Sequence, residues 1–179
     1  MTVLSVAVAL VGMLCLLDLV LTLGVIRRLR DHTARLTALQ AAPGETAIAA
    51  PGELVAPFTA TTVDGATVSA DDLAGANLVA FFSPDCPACE QELTPFVDYT
   101  GTFPGGPERT LIVITSETGG AKYHSALSGL GRIVTEAELT GPVQKAFKTR
   151  GYPAFVVVVD GSVMQSSHSV ADLPQHQPA

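Results

Sequence analysis

The sequence is short of positive charge and of cysteine. Its 179 residues include ten lysines and arginines against seventeen aspartates and glutamates, three cysteines and no tryptophan. From residue 36 onward there are six basic and fifteen acidic side chains, a net charge of −9. Nucleic-acid binding needs a basic surface opposite the phosphates, so this composition argues against a nucleic-acid partner. Three cysteines are too few for a disulfide framework or a four-cysteine zinc site.

Apolar residues are concentrated at the N-terminus. The run Val3–Ile26 is interrupted by polar side chains only at Ser5, Asp18 and Thr22. Roughly 24 helical residues are enough to cross a hydrocarbon core of ~30 Å. No basic residue precedes the run and RRLR follows it, which is unlike a cleavable secretory signal. We therefore expect residues 1–26 to form an uncleaved transmembrane anchor in contact with membrane lipid.

The composition then changes twice along the chain. Residues 27–55 begin with a pattern typical of a juxtamembrane helix and continue into an Ala/Pro/Gly stretch in which AAPGE occurs twice. Such a composition builds no core and predicts a linker. Residues 56–179 are long enough for one folded domain.

The patterning of that domain predicts an α/β fold. Alternating residues flank Asp64-Gly65, which is typical of a β-hairpin. Strands are predicted at 77–83, 111–115, 132–134, 155–159 and 162–167, and helices at 86–99, 121–130 and 141–149. Strands that alternate with helices and end in a hairpin indicate a sandwich with a central mixed sheet.

The segment FFSPDCPACEQEL, residues 81–93, carries the clearest chemical signal. A strand that turns into a helix at Cys86-Pro-Ala-Cys89 puts the first sulfur at the helix N-terminus, where free amides and the helix dipole favour a thiolate. Cys89, one turn later, can resolve a mixed disulfide formed by Cys86. The carboxylate of Asp85 partly opposes that ionisation. The pair predicts a redox-active dithiol.

Three other interpretations of the cysteine pair stay open. A zinc site would need two more ligands, and the four histidines show no paired spacing. A peroxiredoxin-like peroxidase is suggested by Phe81-Phe82-Ser83-Pro84, although the cysteine does not lie where a peroxidatic one would. A metal or maturation chaperone could use the two thiolates, but the sequence supplies no further ligand.

Two segments together resemble a known family. PFTATTVDGATVSADDLAGANLVAFFSPDCPAC and FKTRGYPAFVVVVDG are similar to membrane-anchored thioredoxin-like thiol–disulfide oxidoreductases of the TlpA/ResA type, and the layout also resembles the MauD proteins of methylamine utilisation. The resemblance implies a thioredoxin-like sandwich and a protein-disulfide reductase with no bound cofactor or metal. Its partners would be a protein disulfide or dithiol client and a membrane or soluble electron partner.

The resemblance also implies roles for individual residues. Cys86 and Cys89 would be catalytic, and Pro153, expected in cis, would bind substrate near Cys86 together with Tyr152. Glu92 matches an acid common in the family and Asp85 replaces its usual tryptophan, so both are expected to modulate the site. The chain ends soon after the last predicted strand, so the family's C-terminal helix is expected to be missing or short.

The membrane side of the domain is predicted differently by two arguments. The four arginines that follow the apolar run (Arg27, Arg28, Arg30 and Arg35) favour a cytoplasmic domain by the positive-inside rule. The resemblance implies an extracytoplasmic domain, where disulfides persist. We expect a single-pass protein of the cell membrane with its redox domain outside.

Overall fold

The structure is a computed structural model that describes residues 12–13, 47–84, 86–116, 120–137 and 140–175. The chain divides into two units, residues 1–45 and 46–179. Apart from Gly12 and Met13, the predicted anchor and juxtamembrane helix lie outside the described residues. Within the described part of the chain, no helix is long and apolar enough to cross a bilayer.

The second unit is built on a five-stranded mixed sheet. Its strands are β3 (Ala76–Phe82), β4 (Thr110–Thr115), β5 (Arg132–Glu136), β6 (Ala154–Val159) and β7 (Ser162–Ser167), in the spatial order β5-β4-β3-β6-β7. β3, β4 and β5 pair in parallel, whereas β6 is antiparallel to both β3 and β7. The predicted mixed sheet of an α/β fold is therefore confirmed.

The sheet is buried on both faces, which explains why its strands are almost continuously apolar. Alternate residues of β3 point to opposite sides: Val79 and Phe81 belong to one core, and Leu78, Ala80 and Phe82 to the other. Helices α1 (Pro87–Thr102) and α2 (Ala121–Leu127) contribute to the second core and α3 (Pro142–Ala146) to the first. The site described below lies where β3 passes into α1.

The predicted N-terminal hairpin is present. β1 (Thr59–Thr61) pairs antiparallel with β2 (Thr67–Ser69), and Gly65 takes a φ of +88° in the intervening turn. A left-handed turn residue favours glycine, as the Asp64-Gly65 signal predicts.

The packed part of the chain begins before the predicted domain boundary at residue 56. Ile48 and Ala49 are 6% and 2% exposed, and the Ala49 amide donates to the Phe147 carbonyl at 2.8 Å. Residues 52–55 run along the outer edge of β7: Gly52 and Val55 donate to the carbonyls of Val163 and Gly161 at 2.8 and 2.9 Å. The Ala/Pro/Gly composition of residues 47–55 predicts a linker, but their backbone groups and apolar side chains are used by the fold.

A short turn ends the described chain. The 3-10 turn Val170–Asp172 packs on α1 where the family resemblance leads one to look for a longer helix. Val170 and Leu173 are 5% and 3% exposed and belong to the α1 side of the core. The Tyr99 hydroxyl donates to the Pro174 carbonyl at 2.9 Å. This turn therefore covers part of the α1 side of the sheet, which a missing or short C-terminal helix would leave exposed.

Candidate active site

The first cysteine caps α1. Cys86 has extended backbone dihedrals (φ −107°, ψ 108°), and its sulfur accepts from the Cys89 amide at 3.2 Å. Pro87 occupies the first helical turn, where a missing amide hydrogen costs nothing. Cys86 is half-buried, and its sulfur therefore meets a backbone donor at the start of α1 in a residue that keeps contact with solvent.

The second cysteine lies in a different environment. Both cysteines are free thiols, but Cys89 is completely buried among the residues on the α1 side of the sheet. Its sulfur accepts from the Ser83 amide at 3.5 Å. Burial, and next the hydrogen bond with Cys86, raise the pKa of Cys89 to about 12. Cys89 is thus shielded from solvent and harder to ionise than an ordinary thiol.

A proline turn faces the first sulfur. The Tyr152–Pro153 peptide bond is cis and immediately precedes β6. The Cys86 thiol donates to the Tyr152 carbonyl at 3.3 Å, which brings together residues 66 positions apart. The residue that follows β7 also contacts the turn: His168 Nδ1 lies 2.6 Å from the Pro153 carbonyl. The sequence-predicted residues Cys86, Cys89, Tyr152 and Pro153 are therefore neighbours.

Glu92 contacts the C-terminal turn. Its carboxylate accepts from the Ser169 hydroxyl and the Val170 amide, both at 2.9 Å. These bonds join α1 to the start of the 3-10 turn. The modulating role of Glu92 stays a prediction, and its observed contacts also give it a part in fixing the C-terminal turn. Asp85, the other predicted modulating residue, lies outside the described residues.

Tyr123 is closer to the site than its sequence position in a short helix suggests. A surface position is the usual one for such a residue, but Tyr123 is 1% exposed and packs against Phe82, with ring centroids 5.8 Å apart. Its hydroxyl has no hydrogen-bond partner among the described residues. Burial, and next the charge of Cys89, raise the pKa of Tyr123 to about 12.

Two buried polar residues behind the turn, Gln144 and Glu136, are not among the site residues predicted from the sequence. Gln144 on α3 accepts a hydrogen bond from the Tyr152 hydroxyl at 2.5 Å and donates to Glu136 at 3.1 Å. Both residues are buried, with 1% and 6% exposure. A polar side chain on the apolar face of a predicted helix is the one sequence signal that could have indicated Gln144.

Among residues 47–84, 86–116, 120–137 and 140–175, no group of three or more His, Cys, Asp or Glu side chains is placed to hold a metal ion.

Solved structures of similar fold are thiol–disulfide proteins. A thio-disulfide isomerase from Thermus thermophilus matches with a TM-score of 0.54 at 19% identity, over 66% of this chain and 86% of that one. The thioredoxin domain of a thiol-disulfide oxidoreductase from Bacteroides vulgatus gives 0.51 at 17%, over 65% and 87%. A secreted Mycobacterium tuberculosis disulfide oxidoreductase, homologous to DsbE of E. coli, gives 0.51 at 22%, over 63% and 83%.

These similarities define the fold. The chain has a thioredoxin-like α/β fold with a mixed central sheet, as predicted, and a CxxC pair at the start of α1. No protein-family model matches the sequence, and no curated protein matches it.

Proposed function

We propose that this protein is a membrane-tethered thiol–disulfide oxidoreductase that reduces disulfides in protein clients. The observation that carries the proposal is the position of the Cys86 sulfur. It lies half-exposed at the start of α1, 3.2 Å from the Cys89 amide and 3.3 Å from the Tyr152 carbonyl of the cis-proline turn. The structural similarity to the thiol–disulfide proteins of Bacteroides vulgatus and Thermus thermophilus supports thiol–disulfide exchange as the reaction class.

The first step is attack by Cys86. Its thiolate forms a bond to one sulfur of the client disulfide, the client S–S bond breaks, and the departing client thiolate takes up a proton from solvent. The amide of Cys89 stabilises the attacking anion before the bond forms. The Tyr152-Pro153 turn offers backbone groups against which an extended client segment can pair.

The second step is resolution by Cys89. Its thiol gives up a proton, its sulfur attacks Cys86, and the mixed disulfide breaks to release the client as a second thiol. The client gains two electrons and two protons, and Cys86 and Cys89 become a disulfide. An electron partner of the dithiol class then returns two electrons and two protons, so no bound cofactor is needed.

The location of the reaction is part of the proposal. The apolar run of residues 3–26 supports attachment to the cell membrane, in contact with lipid. The TlpA/ResA-type resemblance supports an extracytoplasmic domain, while the arginines that follow the run support the opposite side. A C-terminal reporter that is active on only one side of the membrane, fused to the full chain, decides between them.

The catalytic role is tested with the full chain in a dithiol-coupled insulin reduction assay. We expect Cys86→Ser to reduce turnover to background. The third cysteine, Cys15, lies within the apolar run of residues 3–26, and Cys15→Ser is the matched control that keeps the wild-type rate. Retained turnover in Cys86→Ser would rule out the proposed role. Turnover of hydrogen peroxide by the wild-type chain, or stoichiometric copper after reducing purification, would favour the peroxidase or the metal-carrier alternative.

A further inference from the structure

Buried polar contacts connect β5 to the proline turn through α3. Glu136, the last residue of β5, accepts from the amides of Val143 and Gln144 at 2.8 and 3.1 Å. Gly141 makes this close approach possible, because a Cβ at that position would overlap the Glu136 side chain. The carboxylate is thereby fixed in an otherwise apolar region, where its hydrogen bonds offset the cost of burial.

The Gln144 side chain can take only one orientation in this arrangement. Its Nε2 donates to Glu136 Oε2 at 3.1 Å and to the Ala137 carbonyl at 2.8 Å. Both of these atoms are acceptors, so the amide nitrogen must face them and Oε1 must face the other way. Oε1 accepts from the Tyr152 hydroxyl at 2.5 Å.

Tyr152 is bound at both of its ends. Its hydroxyl contacts Gln144, while its backbone carbonyl accepts from the Cys86 thiol at 3.3 Å. The ring lies between the two cores and contacts both of them. The contacts at the hydroxyl and at the carbonyl therefore restrain the Tyr152 side chain and the backbone group that faces the reactive sulfur at the same time.

We propose that Gln144 is a positioning residue for the thiol–disulfide reaction. It holds the Tyr152 ring, and through the ring it sets the position of the Tyr152 carbonyl relative to Cys86 and of the turn on which a client segment docks. Glu136 supports Gln144 and completes the line of contacts. This inference rests on the proposed function, and it adds residues that neither the CxxC motif nor the proline turn contains.

Two effects follow if this contact is broken. A turn that is free to shift presents a less defined surface to the client, which weakens docking and raises KM more than it changes kcat. A Cys86 sulfur that loses its contact with the Tyr152 carbonyl is also less covered, which speeds its alkylation. A role confined to stability would change neither quantity in the folded protein.

The test uses Tyr152→Phe, which removes only the hydroxyl, and Gln144→Met, which removes the amide at similar volume. Loss of one hydrogen bond predicts a KM for insulin about two- to tenfold higher in each variant, with kcat within about twofold of wild type. The rate of Cys86 alkylation by iodoacetamide should rise by a similar factor. The double variant should be no worse than the worse single variant, because both substitutions break the same contact.

Thr149→Val is the matched control. Thr149 is 3% exposed, its hydroxyl has no partner among the described residues, and its amide donates to the Gln144 carbonyl at 2.9 Å. The substitution therefore removes a buried polar group next to Gln144 and leaves the hydrogen bonds of the Gln144 side chain in place. We expect its KM and alkylation rate to equal those of wild type. Additive effects in the double variant, or wild-type KM and alkylation rate in folded Tyr152→Phe, would overturn the inference.

Failure of this inference and of the proposed function can be told apart. Wild-type insulin turnover tests the function, whereas the ratio of variant to wild type tests Gln144. If the wild-type chain does not reduce insulin, the alkylation rates still decide whether Gln144 controls the environment of Cys86. If Gln144→Met does not fold, Tyr152→Phe alone decides.

Discussion

The two halves of the site are built in different ways. The thiol half occupies four consecutive residues, Cys86 to Cys89, and its geometry follows from the start of a single helix. The turn half is assembled from Glu136 on β5, Gln144 on α3 and Tyr152 before β6, none of which adjoins the cysteines in sequence. The comparison indicates that the thiol half is encoded in one short segment, whereas the turn half depends on how three separate elements pack together.

Replacing the second cysteine best distinguishes the roles of the two thiols, and it should have the largest effect. Cys89→Ser leaves Cys86 able to attack but removes the intramolecular resolving step, so we expect turnover to fall by at least about a hundredfold. A mixed disulfide with insulin should accumulate and appear on a non-reducing gel. Cys86→Ser should form none. Near-wild-type turnover by Cys89→Ser would show that resolution does not need the buried thiol.

The pH dependence of stability should report the burial of Cys89. Its pKa in the folded protein is about 12, against an ordinary value of 9.0, so the folded state retains the proton after the unfolded state has lost it. The stabilisation is fully present below pH ~9 and is lost as the pH rises towards ~12, at up to about tenfold in the unfolding equilibrium constant per pH unit.

Denaturant unfolding of the reduced protein at several pH values measures this slope. Tyr99 and Tyr123 also have pKa values raised to about 12 by burial, so they contribute between their ordinary value of 10.0 and about 12. Cys89→Ala should remove only the cysteine component, which begins at lower pH. An unchanged slope between pH ~9 and ~10 in this variant would contradict the assignment.

Glu92 lies on α1 just beyond the thiol half, and it allows a prediction about the contact between α1 and the C-terminal turn. Glu92→Gln weakens the carboxylate's bonds to Ser169 and Val170, and we expect a loss of about 1 kcal/mol in the free energy of unfolding. The Cys86 alkylation rate should stay within about twofold of wild type, because the observed partners of Glu92 lie on the C-terminal turn. Ser169→Ala removes one of the two bonds to Glu92 and also the bond that the hydroxyl accepts from the Ala171 amide at 3.4 Å, so it should cost a similar amount and likewise leave the alkylation rate unchanged. A several-fold change in alkylation would support the modulating role implied by the family resemblance.

The smallest expected effect concerns Tyr123. Its buried hydroxyl has no partner among the described residues, so Tyr123→Phe removes a desolvated polar group and keeps the packing against Phe82. We expect the free energy of unfolding to rise by up to about 1 kcal/mol, measured by urea denaturation. Destabilisation instead would mean that the hydroxyl is hydrogen-bonded in the folded protein.

Much of the fold could be predicted from the sequence because its signals are local. The apolar run before Cys86 indicates a buried strand, the CxxC marks the helix start, and Asp64-Gly65 marks the hairpin turn. The structure has β3, α1 and the β1–β2 pair at these places. Each of these features depends on neighbouring residues, so single-sequence patterns are enough.

The remaining features depend on what the chain meets after it folds. Gln144 lies in a five-residue helix, and only the register between that helix, β5 and the proline turn brings its amide to Glu136 and Tyr152. Glu92 lies three residues after Cys89, but its partners are 77 and 78 positions away in sequence. Residues 47–55 have the composition of a linker and are nevertheless hydrogen-bonded to β7. No periodicity in the sequence records such contacts.

The pairing of residues 52–55 with β7 bears on how this domain can be produced. The composition of the chain places the domain boundary at residue 56. A fragment that begins there loses the backbone donors and acceptors that form hydrogen bonds with Gly161 and Val163. It would present a bare strand edge beside the exposed Met164, and bare apolar edges invite intermolecular pairing. Fragments that start before Ala47 should therefore stay monomeric, and those that start at residue 56 should aggregate.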